Sequence, residues 1–466
     1  MKKFLLLSLV IFTGISLKAQ DIKGKWNGLL SIQGTELSIV FHISESEGKY
    51  TAVMDSPDQG VNGIPMTSTT YQKNELNISY IEAGIEYSGR LENNEKISGT
   101  FKQGGMTFPL DLTRKMPVKS AINRPQEPRE PFPYYAEEVR FLNETDSVYL
   151  SGTLTLPKKE GNFPVIVFIT GSGPQNRNEE LMGHKPFLVL ADFLTRQGIA
   201  TLRYDDRGTG SSTGKFELAS SVDFARDAEA AVKFLKTRQE INSNEIGLLG
   251  HSEGAIISGI IASTNTDIAF TVLLAGSAVK GVELLKMQQE AIGKASGMSD
   301  EQIRKMGELN RGGFEIVMKS NDDLQLKNDL SDYLRKVMNE FPESERPQGA
   351  QADMAVRQMV AQMATPWMKF FLKYDPSFDL AKVKCPVLVL IGSKDLQVPA
   401  NNNIDAFKKA LASNEKAIIK ELPGLNHLFQ ESETGLPQEY GKIEQTISPI
   451  ALTEISNFVT SVVIEN

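Results

Sequence analysis

The chain has 466 residues, 40% of them hydrophobic and 23% charged, a composition that supports a buried core and excludes a disordered chain. Its net charge of −8, with no basic run, argues against nucleic acid or an anionic membrane surface as a partner. The single cysteine, Cys385, cannot form an internal disulfide, and the four scattered histidines show no metal-ligand spacing, so neither a disulfide framework nor a metal centre is expected.

Residues 1–20 read as a secretory signal. Lys2 and Lys3 precede a short apolar run, Phe4 to Ile15, and Ala19 suits a cleavage position. About twelve apolar residues are too few to span a bilayer, which needs ~20. No later run is long enough either, so the expected product is exported, without stable membrane insertion.

Residues 21–115 look all-β. Leu37, Ile39, Phe41 and Ile43 alternate with Ser38, Val40 and His42. Leu76, Ile78 and Tyr80 alternate with polar residues, and so do Met106, Phe108, Leu110 and Leu112. Period-two alternation sets one face on a core, and the Gly- and Asn-rich breaks predict a small antiparallel sandwich or barrel. Residues 116–134 carry Pro117, Pro125, Pro128, Pro131 and Pro133, a density that favours an extended linker and places a domain boundary there.

From 135 the pattern changes. Two β-like stretches, 137–142 and 148–156, lead to the apolar run Val165–Ile169. Strand and helix signals then alternate: strands over 199–204, 246–249, 269–274, 386–391 and 418–422, and a helix capped by Ser221 with Val222, Ala225, Ala228, Val232 and Leu235 on one face. Continuous apolar strands between amphipathic helices predict an α/β domain over 135–279 and 381–466, with a mostly parallel sheet covered on both faces. Residues 280–380 interrupt it with a helical insertion holding nine of the fifteen methionines, expected to form a cap over the sheet's C-terminal edge. Those methionines suit either helix core or a plastic apolar pocket lining, helix core being the expectation for most. Trp367, Phe370 and Phe371 are the best candidates to line a pocket.

The chemistry centres on Gly250-His251-Ser252-Glu253-Gly254, placed between a strand and a helix-like stretch. This G-x-S-x-G turn forces the serine into a strained backbone conformation that exposes its hydroxyl, and small neighbours let strand and helix approach. Serine needs a base. His251 adjoins it on a turn where neighbours project apart, His42 lies in the other domain, and His184 sits near a helix start before the turn. His427 remains, just after the last strand. Asp395, just past strand 386–391, suits the carboxylate that holds the imidazole, with Asp375 a weaker rival. The chain order Ser252, Asp395, His427 is a known triad order. Oxyanion donors are expected from the backbone amides of Glu253 and Ser172, with Gly173 the alternative to Ser172. The Glu253 side chain either organises the turn or faces substrate. The loop Tyr204-Asp205-Asp206-Arg207-Gly208-Thr209-Gly210 lacks a phosphate-loop arrangement and reads as structural, with Asp205 and Arg207 bonded to nearby backbone.

With these residues the sequence resembles the α/β-hydrolase superfamily, and within it the secreted bacterial serine-aminopeptidase-like esterases, over about 145–278 and 366–460. The similar motifs are Gly171-Ser172-Gly173-Pro174-Gln175, Asp-Asp-Arg-Gly-Thr-Gly, Gly-His-Ser-Glu-Gly, Lys-Asp-Leu-Gln-Val-Pro and Leu-Asn-His-Leu-Phe-Gln. Ala255 stands where such sequences often carry glycine. The resemblance implies hydrolysis of a small-molecule carboxylic ester through an acyl-enzyme, with no cofactor. A serine peptidase, a catalytically silent binding protein and acyl transfer to another acceptor are the competing readings.

Overall fold

The computed structural model describes residues 21–464 apart from 33–34, 60, 104–105, 120–122, 342 and 344–345. The expected signal segment, 1–20, lies outside the described residues. The described chain forms two compact units, one reaching to about residue 120 and the other from about 121 onward.

The first unit is built from β1 (Gly24–Ile32), β2 (Thr35–Ser46), β3 (Lys49–Ser56), β4 (Val61–Pro65), β5 (Ser68–Gln72), β6 (Glu75–Tyr80), β7 (Ile85–Asn93), β8 (Lys96–Gln103), β9 (Met106–Pro109) and β10 (Leu112–Thr113). Among the described residues these make one sheet in the order β4-β3-β2-β1-β10-β8-β7-β6-β5, with β9 on β8. β3 also approaches β5, so the sheet curls around its own core. Ile39, Phe41 and Ile43 point into that core beside Trp26, Tyr87 and Phe101. His42 faces outward and pairs with Asp55 at 2.8 Å.

The second unit carries β11 (Tyr135–Asn143), β12 (Val148–Leu156), β13 (Phe163–Ile169), β14 (Ala200–Tyr204), β15 (Ile241–His251), β16 (Phe270–Leu274), β17 (Val387–Gly392) and β18 (Ala417–Leu422). Their order is β11-β12-β14-β13-β15-β16-β17-β18. β11 and β12 pair antiparallel, β12 joins β14 antiparallel, and the remaining neighbours are parallel. The apolar run in β13 is continuous because both sheet faces are covered. Val165, Val167 and Ile169 join one core and Ile166 and Phe168 the other. Each fully buried side chain of this kind contributes roughly 1.5–3 kcal/mol.

The helices are α1 (Pro186–Arg196), α2 (Ser221–Leu235), α3 (Glu253–Ala262), α4 (Gly281–Ala295), α5 (Asp300–Lys319), α6 (Asp323–Asn339), α7 (Gly349–Met363), α8 (Pro366–Lys373), α9 (Ser377–Leu380), α10 (Ala400–Ala410), α11 (Pro437–Tyr440) and α12 (Pro449–Ile464). α2, α3 and α10 cover one face, and α1 and α12 the other. The N-cap of α2 is Ser220 rather than Ser221: Ser220 and Asp223 form a reciprocal capping box, and Ser221 turns inward.

Between β16 and β17, α4 to α8 form the insertion, while Leu380 of α9 joins the core of the sheet. The insertion has a core of its own, where Val317, Leu326, Leu330, Val356 and Leu372 meet. Met318, Met338, Met363 and Met368 pack against that core, and Met306 and Met359 are exposed. None of the nine methionines lines the cavity described below, so the pocket-lining option fails for them.

The proline-rich stretch is not free along its length. Lys119 pairs with Asp58 inside the first unit. Arg124, inside the second, donates to the carbonyls of Gly183, Met182, Gly441 and Ile443. Gln126 bonds the backbone of Thr446 and Ile447. Proline spacing carries no sign of these two side chains capping distant loop carbonyls.

Candidate active site

The site lies where β13, β15, β17 and β18 end, because each strand delivers its following loop to the same edge of the parallel sheet. β15 ends at His251 and α3 begins at Glu253, leaving Ser252 at φ 53° and ψ −115°. This is a conformation that non-glycine residues rarely adopt, and it is held by the Ser252 amide bonding the Leu274 carbonyl at 2.8 Å. The flanking glycines are required by close approach. A Cβ on Gly250 would lie 2.0 Å from the Gly254 carbonyl oxygen, and one on Gly254 would lie 2.0 Å from that of Ile169.

Past β17, Asp395 Oδ1 accepts the amides of Gln397 and Val398 at 2.9 and 2.8 Å. Its Oδ2 lies 2.8 Å from His427 Nδ1, and both side chains are buried. Past β18, Asn426 turns its side chain inward and accepts the amides of Leu428 and Gln430, which shapes the loop that carries His427. Nδ1 is committed to Asp395, so Nε2 is the ring nitrogen of His427 left for a substrate or serine proton.

Ser252 and His427 both line a cavity of about 340 Å³. Its apolar wall comes from Ile256, Leu284, Leu285, Trp367, Phe371 and Val398, partly from α4 and α8 of the insertion. Gln175, Gln288 and Gln397 make its polar wall. Trp367 and Phe371 stack at 4.9 Å, being four residues apart on one helix face. Phe370 does not line the cavity. One position round the helix from Phe371, it stacks on Tyr374 instead. Asp375 is occupied in capping Ser377 and takes no part in the site.

Of the expected oxyanion donors, Ser172 lines the cavity and Gly173 does not. The Glu253 amide opens α3, where a helix offers no internal acceptor. The Gly171 amide is already spent on Glu179 Oε1 at 2.7 Å. The Glu253 carboxylate is buried and accepts from Ser221 Oγ at 2.6 Å and from Trp367 Nε1 at 2.7 Å. Burial raises its pKa, against the bonds from Ser221, Trp367 and Ser172.

Both ring nitrogens of His251 are engaged by other groups. Its Nδ1 meets Glu179 Oε1 and its Nε2 meets the His427 carbonyl oxygen, both at 2.9 Å. Glu179 escaped the reading of the sequence. Its only signal is a charged residue in the long loop after β13. Arg207, expected to bond backbone, mainly grips carboxylates: it is bidentate to Asp227 and also meets Asp146, with one bond to the Asp223 carbonyl. Asp205 accepts backbone amides of Arg177 and Ser211 and the Arg177 guanidinium. Among the described residues no cluster of His, Cys, Asp or Glu is arranged to hold a metal ion, and no helix is long and apolar enough to cross a membrane.

A strained serine at a strand–helix turn, in a cavity shared with a histidine, sits on the sheet of an α/β-hydrolase fold. The chain belongs to the family described as X-Pro dipeptidyl-peptidase (S15 family), which matches residues 146–423. It is 28% identical over 297 residues to esterase EstD of Thermotoga maritima, covering 63% of this chain and 61% of that protein, so it spans about three fifths of that relative's length. It is 28% identical to mouse acyl-coenzyme A thioesterase 5 over 170 residues, 36% of this chain and 35% of the thioesterase. A solved esterase from Pyrococcus furiosus superposes with a TM-score of 0.43 at 15% identity, covering 75% of this chain and 99% of that one.

Proposed function

We propose that this chain is an exported serine esterase that cleaves small carboxylic esters through an acyl-enzyme on Ser252. The observation that carries the reading is the Asp395–His427 pair at 2.8 Å beside a cavity that also exposes Ser252. His427 takes the serine proton as Ser252 attacks the carbonyl, and Asp395 holds the imidazole and supports its cation. The amides of Glu253 and Ser172 receive the oxyanion, each worth ~3–4 kcal/mol. His427 then protonates the leaving alcohol, and a water it activates releases the acid. The apolar wall suits an acyl or alkyl group of modest size.

The family match favours a second reading, a peptidase that anchors a substrate ammonium. Two carboxylates line the cavity, Glu179 and Glu253, but both are buried and engaged by protein donors. That supports the ester. Comparing a p-nitrophenyl ester with X-Pro p-nitroanilides tests it. Faster turnover of the ester is expected, and a clear preference for the anilide would replace the esterase with the peptidase.

Export rests on Lys2, Lys3 and the apolar run Phe4–Ile15. N-terminal sequencing of the protein recovered outside the cytoplasm should find a start near residue 20. Full-length protein retained in the cytoplasm would refute it.

A further inference from the structure

His251 makes two hydrogen bonds whose proton count does not balance for a neutral ring. Nε2 lies 2.9 Å from the His427 carbonyl oxygen, which can only accept, so Nε2 carries a hydrogen. A neutral imidazole would then turn the lone pair of Nδ1 toward Glu179 Oε1, 2.9 Å away. That oxygen already accepts the Gly171 amide at 2.7 Å. One further proton must lie between Nδ1 and Oε1. Imidazole is ordinarily more basic than a carboxylate, about 6.5 against about 4.3, so the proton belongs on Nδ1.

The surroundings agree. Both side chains are buried, at 8% and 4% exposure, where a charge needs its partner. The charged and titratable groups that bear on His251 are Glu179 from the loop after β13, Asp395 from the loop after β17, and the His427 ring, 4.8 Å away between centroids. Burial pushes the His251 pKa down, and Glu179, the His427 carbonyl and Asp395 together carry it above its ordinary value. Glu179 itself sits at φ 50°, the left-handed region that side chains rarely adopt, as Ser252 does at 53°. A Cβ on Gly171 would lie 3.2 Å from both Glu179 Oε1 and Ser252 Cβ, so the glycine is what lets these parts close on one another.

We propose that Glu179 is a positioning residue for the reaction: its carboxylate keeps His251 as an imidazolium, and that cation ties the loop at Gly171, the turn at Ser252 and the backbone of His427 into one unit. The proposal rests on the reading of Ser252 and His427 as the reacting pair. Removing the extra proton breaks one of the two bonds whichever tautomer remains. If Nε2 keeps its hydrogen, Nδ1 loses Glu179. If Nδ1 keeps it, the His427 carbonyl loses its donor.

Long-range 1H–15N spectra of the full chain test the proton directly, since only four histidines contribute. His251, assigned with His251→Gln, should show both ring nitrogens protonated across neutral pH, and Glu179→Gln should convert it to a single tautomer. In the same variant kcat should fall on the order of 10- to 100-fold with KM nearly unchanged, because reacting groups are displaced while the pocket is kept. Fluorophosphonate labelling of Ser252 should slow in parallel, and Glu180→Gln next door should change none of these. A lone-pair nitrogen on wild-type His251 at neutral pH would overturn the proposal, and so would wild-type labelling and kcat in folded Glu179→Gln. If Glu179→Gln does not fold, the wild-type spectrum still decides the proton. Labelling reads the serine without an ester, so an absence of ester turnover in wild type would sink the esterase reading alone.

Discussion

Trp367 Nε1 donates to Glu253 Oε1 at 2.7 Å, joining a helix of the insertion to the residue that follows Ser252. The same indole stacks on Phe371 and faces the cavity, so one side chain shapes the pocket and satisfies a buried carboxylate. Trp367→Phe keeps the stack and removes the donor. It should cost about 1–3 kcal/mol of stability, read by urea unfolding, because Glu253 is left short of a partner. Trp367→Ala should move the acyl-chain preference toward longer esters, read as kcat/KM across a chain-length series.

Asp395 fixes the His427 tautomer, since its Oδ1 is saturated by two amides and only Oδ2 faces the ring. Asp395→Asn should retain the fold and lower kcat by about 10³- to 10⁴-fold, because the amide favours the wrong tautomer. Steady-state kinetics with a circular dichroism control check this. A loss under tenfold would mean that Asp395 is not the partner.

The glycines around the turn should divide by space. Gly254→Ala sets a Cβ against the Ile169 carbonyl and Gly250→Ala sets one against Gly254, both backbone contacts that cannot yield cheaply. Each should cost about 1–3 kcal/mol or more. Gly259→Ala, inside α3, meets only Leu380 at 3.4 Å and should stabilise by about 0.5–1 kcal/mol. Denaturant midpoints of the three variants give the comparison.

His184 should give the fold an acid limb. Its Nε2 bonds the Tyr440 carbonyl and its Nδ1 the Thr446 hydroxyl, in full burial. Burial lowers its pKa from 6.5 to about 4. The unfolded chain therefore takes up a proton that the folded chain refuses, and this contribution to stability is lost as pH falls from 6.5 toward 4. His184→Gln should flatten that dependence, measured as unfolding midpoints at stepped pH. An unchanged slope would contradict it.

Local pattern made much of this molecule legible. Alternation in β2 and the continuous run in β13 announce which faces are covered, and Gly250-x-Ser252-x-Gly254 shows itself because its chemistry is local. The meeting of Asp395 and His427 is legible because each follows a strand and the other three histidines are placed elsewhere. Glu179 is not, since its partners Gly171 and His251 meet it only in the folded loop and no spacing encodes that contact. The same holds for Arg124 on its four distant carbonyls and for Glu253, whose side chain could be given a role only once Trp367 and Ser221 were seen to meet it. Phe370 looked equivalent to Phe371 in the sequence, and its position round α8 separates them.

Fluorophosphonate labelling with site mapping, beside a p-nitrophenyl ester panel, on wild type and Ser252→Ala, tests the central claim most directly. Ser252 should carry the label, and the variant should lose both label and ester turnover. A folded wild type that takes no label, or a Ser252→Ala variant that turns over ester as fast as wild type, would contradict it.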